Sequence, residues 1–331
     1  MKREDYIHAS TRVRLLEKLL LPMSTLKRIA QATDFEEAFR QFKETSYARF
    51  FSSQDTSPLK VLQLAQAQLY KDLQDIAPHC PINRFIAQPF LYHNLKVLLR
   101  EHYGQFNGRD LLIPVQDFDE AYYRGIIEYP SKNPRQTDQE KALVQAMMAY
   151  DATHRAQDID MVMDRALGET LKRLAGESDV PVLQAYVLDR LDFDNFSILL
   201  RAKRQGLDGR QFLRLLTASG HVPYEIWVSL LTASKEEAMK SLQTNGASQA
   251  LCLAAKRFYE NQDLSQLEKS RDDHGIRQAL NAGKITYGPE VIFAFATRRS
   301  TEIQNLRMIL LALQNHIDSA RVLERLRDID G

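Results

Sequence analysis

Three stretches share one pattern: HNLKVLLR (93–100), DNFSILLR (194–201) and QNLRMILL (304–311). In each, an asparagine is followed by apolar residues one, three, four and five positions later. That spacing puts apolar groups on one side of a helix. Asn94 and Asn195 are 101 residues apart, and Asn195 and Asn305 are 110 apart. Gly108 and Arg109 match Gly209 and Arg210, again 101 apart, so the register continues into the next loop. Pro81, Pro181 and Pro289 stand 13, 14 and 16 residues ahead of the asparagines, each suited to the first turn of a preceding helix.

A second marker follows the first. Glu37–Ala38, Glu120–Ala121 and Glu237–Ala238 read as first turns of helices with acidic residues at the positive end, and Asp34, Asp117 and Ser234 sit where N-caps belong. TRVRLLEK (11–18) begins 27 residues before Ala38, as Asn94 lies 27 before Ala121, and so reads as a diverged first copy. The distance from Asn195 to Ala238 is 43 residues, which calls for an insertion. The chain divides on these markers into three units, 1–110, 111–217 and 218–331, the last with a closing helix. Asn94, Asn195 and Asn305, each with its apolar follower Leu95, Phe196 or Leu306, are the candidate repeat-packing residues. An amide on an apolar helix needs hydrogen bonds, and the expectation is a bond that joins one repeat to its neighbour.

Composition points the same way. Thirteen glycines and 11 prolines in 331 residues mean few turns and long helices, an all-α protein. Pro-containing breaks at Pro22, Pro58, Pro78 with Pro81, Pro114, Pro130 to Pro134, Pro181, Pro223 and Pro289 separate the helices, and only 131–137 reads as a flexible linker. Apolar residues at 44% and charged ones at 26% describe a chain that folds by itself, and a net charge of +1 gives no global field for nucleic acid. Two cysteines, Cys80 and Cys252, suit a reducing compartment. The opening MKREDYIHAS does not read as a secretory signal, and the longest apolar runs, 250–255, 291–296 and 308–313, are far shorter than a membrane span. The cytoplasm is the expected location.

Chemistry is sparse. The dinucleotide, P-loop and hydrolase-elbow signatures are absent, and the histidines show no metal-ligand spacing, so no catalytic residue, cofactor or metal is assigned. His79 beside Cys80 and Asp273 beside His274 read as loop or core neighbours. Aspartates cluster at 158, 160 and 164 and at 189, 192 and 194. Salt-bridged helix faces are the expected reading, and an enzyme using them would require one cleft and raised pKa values. Positive charge is densest at Arg201, Lys203, Arg204, Arg210 and Arg214, against only Asp208, a local +4 that makes these five the candidate partner interface.

The markers resemble those of a known family, the C subunits of the prokaryotic V-type (A/V-type) ATPases, counterparts of the eukaryotic d subunit. The resemblance lies in YIHASTRVRLLEKLLL (6–21), TDFEEAFRQFKETSYARFF (33–51), AQDIDMVMDRALGETLKRLA (156–175) and LDRLDFDNFSILLRAKRQG (188–206). It is most specific in YGPEVIFAFATRRSTEIQNLRMILLAL (287–313), with Pro289, Glu290, Glu302, Asn305, Leu306 and Arg307 at the family's places. His93 stands where the family more often has an acid, and Ser300–Thr301 is more polar than the usual approach to Glu302. The resemblance implies a funnel of three pseudo-threefold helical units that acts as a non-catalytic socket. The tip of a central shaft, made of the D and F subunits, would enter it. Its other face would sit on the membrane ring of ion-binding subunits (K/c) and pass torque to it. The protein would then be peripheral to the cytoplasmic face of the membrane. The alternative reading is a soluble helical-repeat scaffold for protein partners.

Overall fold

The computed structural model describes residues 3–51, 57–104, 108, 111–115, 118–130 and 137–330. Arg109, Asp117 and the expected linker at 131–136 lie outside them. The described residues hold helices and no strand. In chain order the α-helices are α1 (Ile7–Glu17), α2 (Met23–Ala30), α3 (Phe35–Lys43), α4 (Pro58–Ile76) and α5 (Pro81–His102). Then come α6 (Glu120–Glu128), α7 (Asp138–Thr153), α8 (Ala156–Glu177), α9 (Pro181–Gln205), α10 (Gly209–Leu215), α11 (Tyr224–Leu230), α12 (Lys235–Thr244) and α13 (Gln249–Asn261). Last are α14 (Leu264–Ala282), α15 (Pro289–Gln314) and α16 (Ser319–Arg325).

Pro81, Pro181 and Pro289 open α5, α9 and α15, the same helices that carry the asparagines. The separate preceding helix expected from their spacing is therefore corrected to one continuous helix. Proline is at home in a first turn, where its missing N–H would have no partner anyway, and in α9 and α15 no glycine or proline follows before the helix ends. Pro89 alone interrupts α5 internally. Asp34 caps α3 by accepting from the Glu37 N–H, and Ser234 caps α12 by accepting from the Glu237 N–H, as the acidic first turns imply. The cap of α6 is Asp119, which accepts from the Tyr122 N–H. Tyr123, Ile126 and Ile127 make its buried face, and Glu120 and Ala121 sit two positions nearer the helix start than their counterparts.

The chain forms two compact units. One contains residues up to Asn83 together with those from Asp263 onward, and the other contains Arg84–Gln262. In the second, Tyr92, Leu95 and Leu98 of α5 pack with Ile126 of α6, Leu143 of α7 and Ile159 and Met163 of α8. In the first, Leu26, Ile29, Phe42, Tyr47 and Leu62 close around Ile303, Leu306, Ile309 and Leu310 of α15. Gly288 opens α15 with φ at +149, a conformation for glycine, and its N–H donates to the Ser10 Oγ at 3.2 Å.

Within that apolar core α15 buries a charged group. Glu302 is fully buried, and its carboxylate accepts from the Leu21 N–H at 2.7 Å, the Tyr47 hydroxyl at 2.8 Å and the Arg299 guanidinium at 2.6 Å. The Arg299 guanidinium also lies 4.4 Å from the centre of the Tyr47 ring, a cation–π contact. Burial raises the Glu302 pKa, and Arg299 and the hydrogen bonds oppose the rise. Removing the carboxylate strands the buried Arg299. Glu302→Ala is therefore expected to lose about 3–5 kcal/mol in urea unfolding, and Glu302→Gln, whose one amide oxygen still accepts from Tyr47 and Arg299 but no longer from Leu21, less. Equal stability of Glu302→Ala and the parent would refute the role assigned to this group.

Candidate functional site

Each repeated asparagine is fully buried and forms a two-way bond with the backbone that follows its own helix. Asn94 donates to the Ile113 carbonyl at 2.8 Å and accepts from the Ile113 N–H at 2.9 Å. Asn195 donates to the Ala218 carbonyl at 3.1 Å and accepts from the Thr217 N–H and hydroxyl, both at 2.9 Å. Asn305 donates to the Arg327 carbonyl at 2.9 Å and accepts from the Arg327 N–H at 3.1 Å. The partners lie 19, 22 to 23 and 22 residues downstream. Leu95, Phe196 and Leu306, the apolar followers, are all buried beside them. The extra residues after Asn195 accommodate α11 between the held segment and α12.

Among the described residues, the segment held by Asn195 is gripped at more points than the other two. From α8, Arg165 donates to the carbonyls of Leu213, Arg214 and Leu216 at 2.8–3.0 Å, and Lys172 donates to the Ser219 carbonyl at 2.8 Å. From α9, Asp192 accepts from the N–H groups of His221 at 2.9 Å and Val222 at 3.2 Å, while Asp189 lies 3.3 Å from the His221 ring nitrogen. Gly220 passes so close to Asp192 that an added Cβ would lie 2.3 Å from its carboxylate oxygen, which requires glycine there. Nothing in the sequence marked Arg165 or Asp192 for this work, because their partners are backbone atoms that carry no residue signature.

Just before this anchored segment lie the five basic residues. Arg201, Arg204, Arg210 and Arg214 are exposed, and Leu213 is exposed between the last two. Asp208, the one acid among them in sequence, caps α10 by accepting from the Gln211 N–H. Lys203 departs from the group. It is half-buried, donates to the Ala233 carbonyl at 2.7 Å, and burial lowers its pKa, so its ammonium serves the fold. Among the described residues no ion pair involves Arg204, Arg210 or Arg214.

The aspartate clusters are occupied by local partners. Lys96 of α5 bridges Asp160 and Asp164 at 3.7 and 2.5 Å, and Arg100 of α5 also pairs with Asp160. Arg165, adjacent in sequence, takes no part. Asp158 accepts from the Thr153 hydroxyl at 2.5 Å, and Asp194 lies 3.9 Å from Arg190. Asp273 pairs with Lys269, and Cys80 is buried, its thiol pushed up to about 11 by burial. Among the described residues no group of three or more His, Cys, Asp or Glu could hold a metal ion, and no helix is long and apolar enough to cross a membrane.

Fold and surface together define an all-helical protein whose buried polar groups fix its own backbone and whose exposed arginines face outward. Comparison with known proteins gives this class a family. The family described as ATP synthase (C/AC39) subunit matches residues 9–325, and the chain belongs to it. The V-type sodium ATPase C subunit of Enterococcus hirae is 22% identical over 335 residues, covering 98% of this chain and 99% of that protein. The A-type ATP synthase C subunit of Methanothermobacter thermautotrophicus is 24% identical, covering 92% of this chain and 83% of its own length. The protein of the same name from Methanocaldococcus jannaschii is 18% identical, covering 92% and 82%.

Two outcomes follow from the anchored segment. Asn195→Leu leaves the Thr217 N–H without a partner and the Ala218 carbonyl with only the Thr217 hydroxyl at 3.5 Å, at about 1–3 kcal/mol for a buried group left unpaired. A lowered melting temperature is expected, and an unchanged one would refute the role. Burial pushes the Asp192 carboxyl up from 3.8 to about 7, aided by Asp189 and opposed by the two backbone N–H groups and Lys172. The folded state therefore holds a proton that the unfolded chain releases near pH 4. Through this group stability falls as pH rises from about 4 to 7 and is then flat. Asp192→Asn, which mimics the protonated form, should narrow the difference in urea stability between pH 5 and pH 8. A difference equal to the parent's would overturn the assignment.

Proposed function

We propose that the chain is the non-catalytic C subunit of a V-type (A/V-type) rotary ATPase or ATP synthase. It is the central-stalk socket between the D/F shaft and the membrane ring, and it passes torque that couples ATP turnover to proton or sodium transport. The observation that carries this reading is the match along 9–325, together with relatives named as C subunits that are covered over 82–99% of their length. In this reading the three units 1–110, 111–217 and 218–331 form a pseudo-threefold funnel. The asparagine bond that recurs on α5, α9 and α15 supports that organisation, since each long helix fixes its following segment in the same way. A torque-bearing socket needs stiffness, which close-packed helices supply. The chain would act at the cytoplasmic face of the membrane, peripherally, through the complex.

Arg201, Arg204, Arg210 and Arg214 form an electropositive face that would meet an acidic surface of a partner protein, and its backbone is held by Arg165, Lys172, Asp192 and Asn195. The tagged full-length chain, purified from solubilised membranes of its own cells, is expected to bring down the D and F shaft subunits and the ring protein. Their absence from the bound fraction would overturn the reading. Charge reversal at Arg201, Arg204 and Arg210 is expected to weaken that association and reduce its salt sensitivity; an unaffected association would remove this face from the interface.

A further inference from the structure

One side of α1 carries apolar groups that its own unit leaves uncovered. Ile7 is 48% exposed, Leu15 60% and Leu19, just past the helix end, 36%. Ile7, Thr11 and Leu15 recur at four-residue spacing, and the Thr11 hydroxyl donates to the Ile7 carbonyl at 3.0 Å, which turns its polar group back onto the helix. The opposite side, with Ala9, Ser10 and Val13, already fills the core. Beside Leu19 the strip opens into a narrow recess lined by Leu16, Leu20, Leu69 and Phe295, with Arg49 and Asp72 also at its wall.

Cations outside any ion pair among the described residues stand beside the Leu15 and Leu19 end of this strip. His8, Arg12, Lys18 and Arg49 are exposed, and among the described residues none of Arg12, Lys18 and Arg49 enters an ion pair. Arg14 differs, being bound to Glu17 and to the carbonyls of Gly283 and Ile285. Asp72 at the recess already accepts from the Gln68 amide at 2.8 Å, and the acids Glu4 and Asp5 lie ahead of the strip, in the turn before Ile7. Apolar groups flanked by unpaired cations complement a helix that presents leucine-type residues with carboxylates beside them. A lipid surface fits less well. An interfacial helix sinks a whole apolar face into the headgroup layer, whereas the main apolar face of α1 is in the core, only Ile7, Leu15 and Leu19 are left exposed, and the recess beside them is no larger than a water.

We propose that this face seats an acidic amphipathic helix of a partner protein. Leu15 and Leu19 pack on its apolar side, and Arg12, Lys18 and Arg49 meet its carboxylates. The proposal rests on the assembly reading only for the existence of partner proteins.

The test titrates the full-length chain into a labelled helical peptide that carries leucines at four-residue spacing flanked by glutamates, and into its lysine counterpart, with fluorescence anisotropy as readout. Saturable binding of the acidic peptide alone is expected. Leu15→Asp, and separately Arg12→Glu with Lys18→Glu, should weaken it roughly tenfold, while Lys256→Glu with Arg257→Glu leaves it unchanged. All these side chains are exposed, and thermal melts verify that each variant is folded. Equal binding of the two peptides, or acidic-peptide binding that survives the α1 variants, overturns the proposal. So does adsorption to phosphatidylglycerol vesicles without peptide binding, which would assign the face to lipid. The peptide result and the co-purification result do not depend on each other, so the two readings fail separately.

Discussion

A polar side chain inside a helical core is stable only when its donors and acceptors are met, and in this chain that requirement organises the backbone. The amides of Asn94, Asn195 and Asn305 each have one acceptor and a donor pair to satisfy. Extended chain coming back along the helix supplies both from its peptide groups. The long helices thus serve as rails to which the irregular segments are fastened. Glu302 obeys the same rule with Leu21, Tyr47 and Arg299, and Asp192 obeys it with His221 and Val222. Each such bond adds only about 1 kcal/mol net, but an orphaned partner costs more, so the pairing selects one register against its neighbours.

The same rule explains how a chain of net charge +1 presents basic faces. Many acids are engaged locally. Asp34, Asp119, Asp208, Asp263 and Asp318 accept from N–H groups in the first turns of their helices, where the helix dipole also favours them. Asp192 and Glu302 are buried. Arginines are split between two uses. Arg165 and Arg299 hold backbone or carboxylate, whereas Arg12, Arg204 and Arg210 stand in solvent. The surface field is therefore the remainder after internal pairing, which total charge does not reveal.

The helices were legible in the sequence because scarce glycine and proline and apolar residues at three and four spacing are local signals. So were the asparagine pattern and two of the caps. At α6 two aspartates compete within DFDEA, and the sequence does not tell which one meets the first-turn N–H, the role that Asp119 takes. The proline spacing was read as a helix break because proline both starts and stops helices, and spacing alone does not tell which. Lys203 looked like its arginine neighbours, yet its ammonium reaches the Ala233 carbonyl, a contact across a turn. Lys96 and Arg100 pair with aspartates 60 or more residues away, and Glu302 with Leu21 and Tyr47, more than 250 residues away. No local pattern encodes such partners.

One unit of this protein is built from both ends of the chain, with α15 packed against α2, α3 and α4, while the other is continuous in sequence. A ribosome releases residues in order, so the continuous unit has all its material while synthesis is still under way. The helices before Asn83 must wait, with Leu26, Ile29, Phe42 and Leu62 lacking the surface that α15 will bring. Closing so long a loop adds only a logarithmic entropy cost, so the delay is a matter of timing more than of stability. During that interval the amino-terminal segment is the part of the nascent chain in need of protection from aggregation.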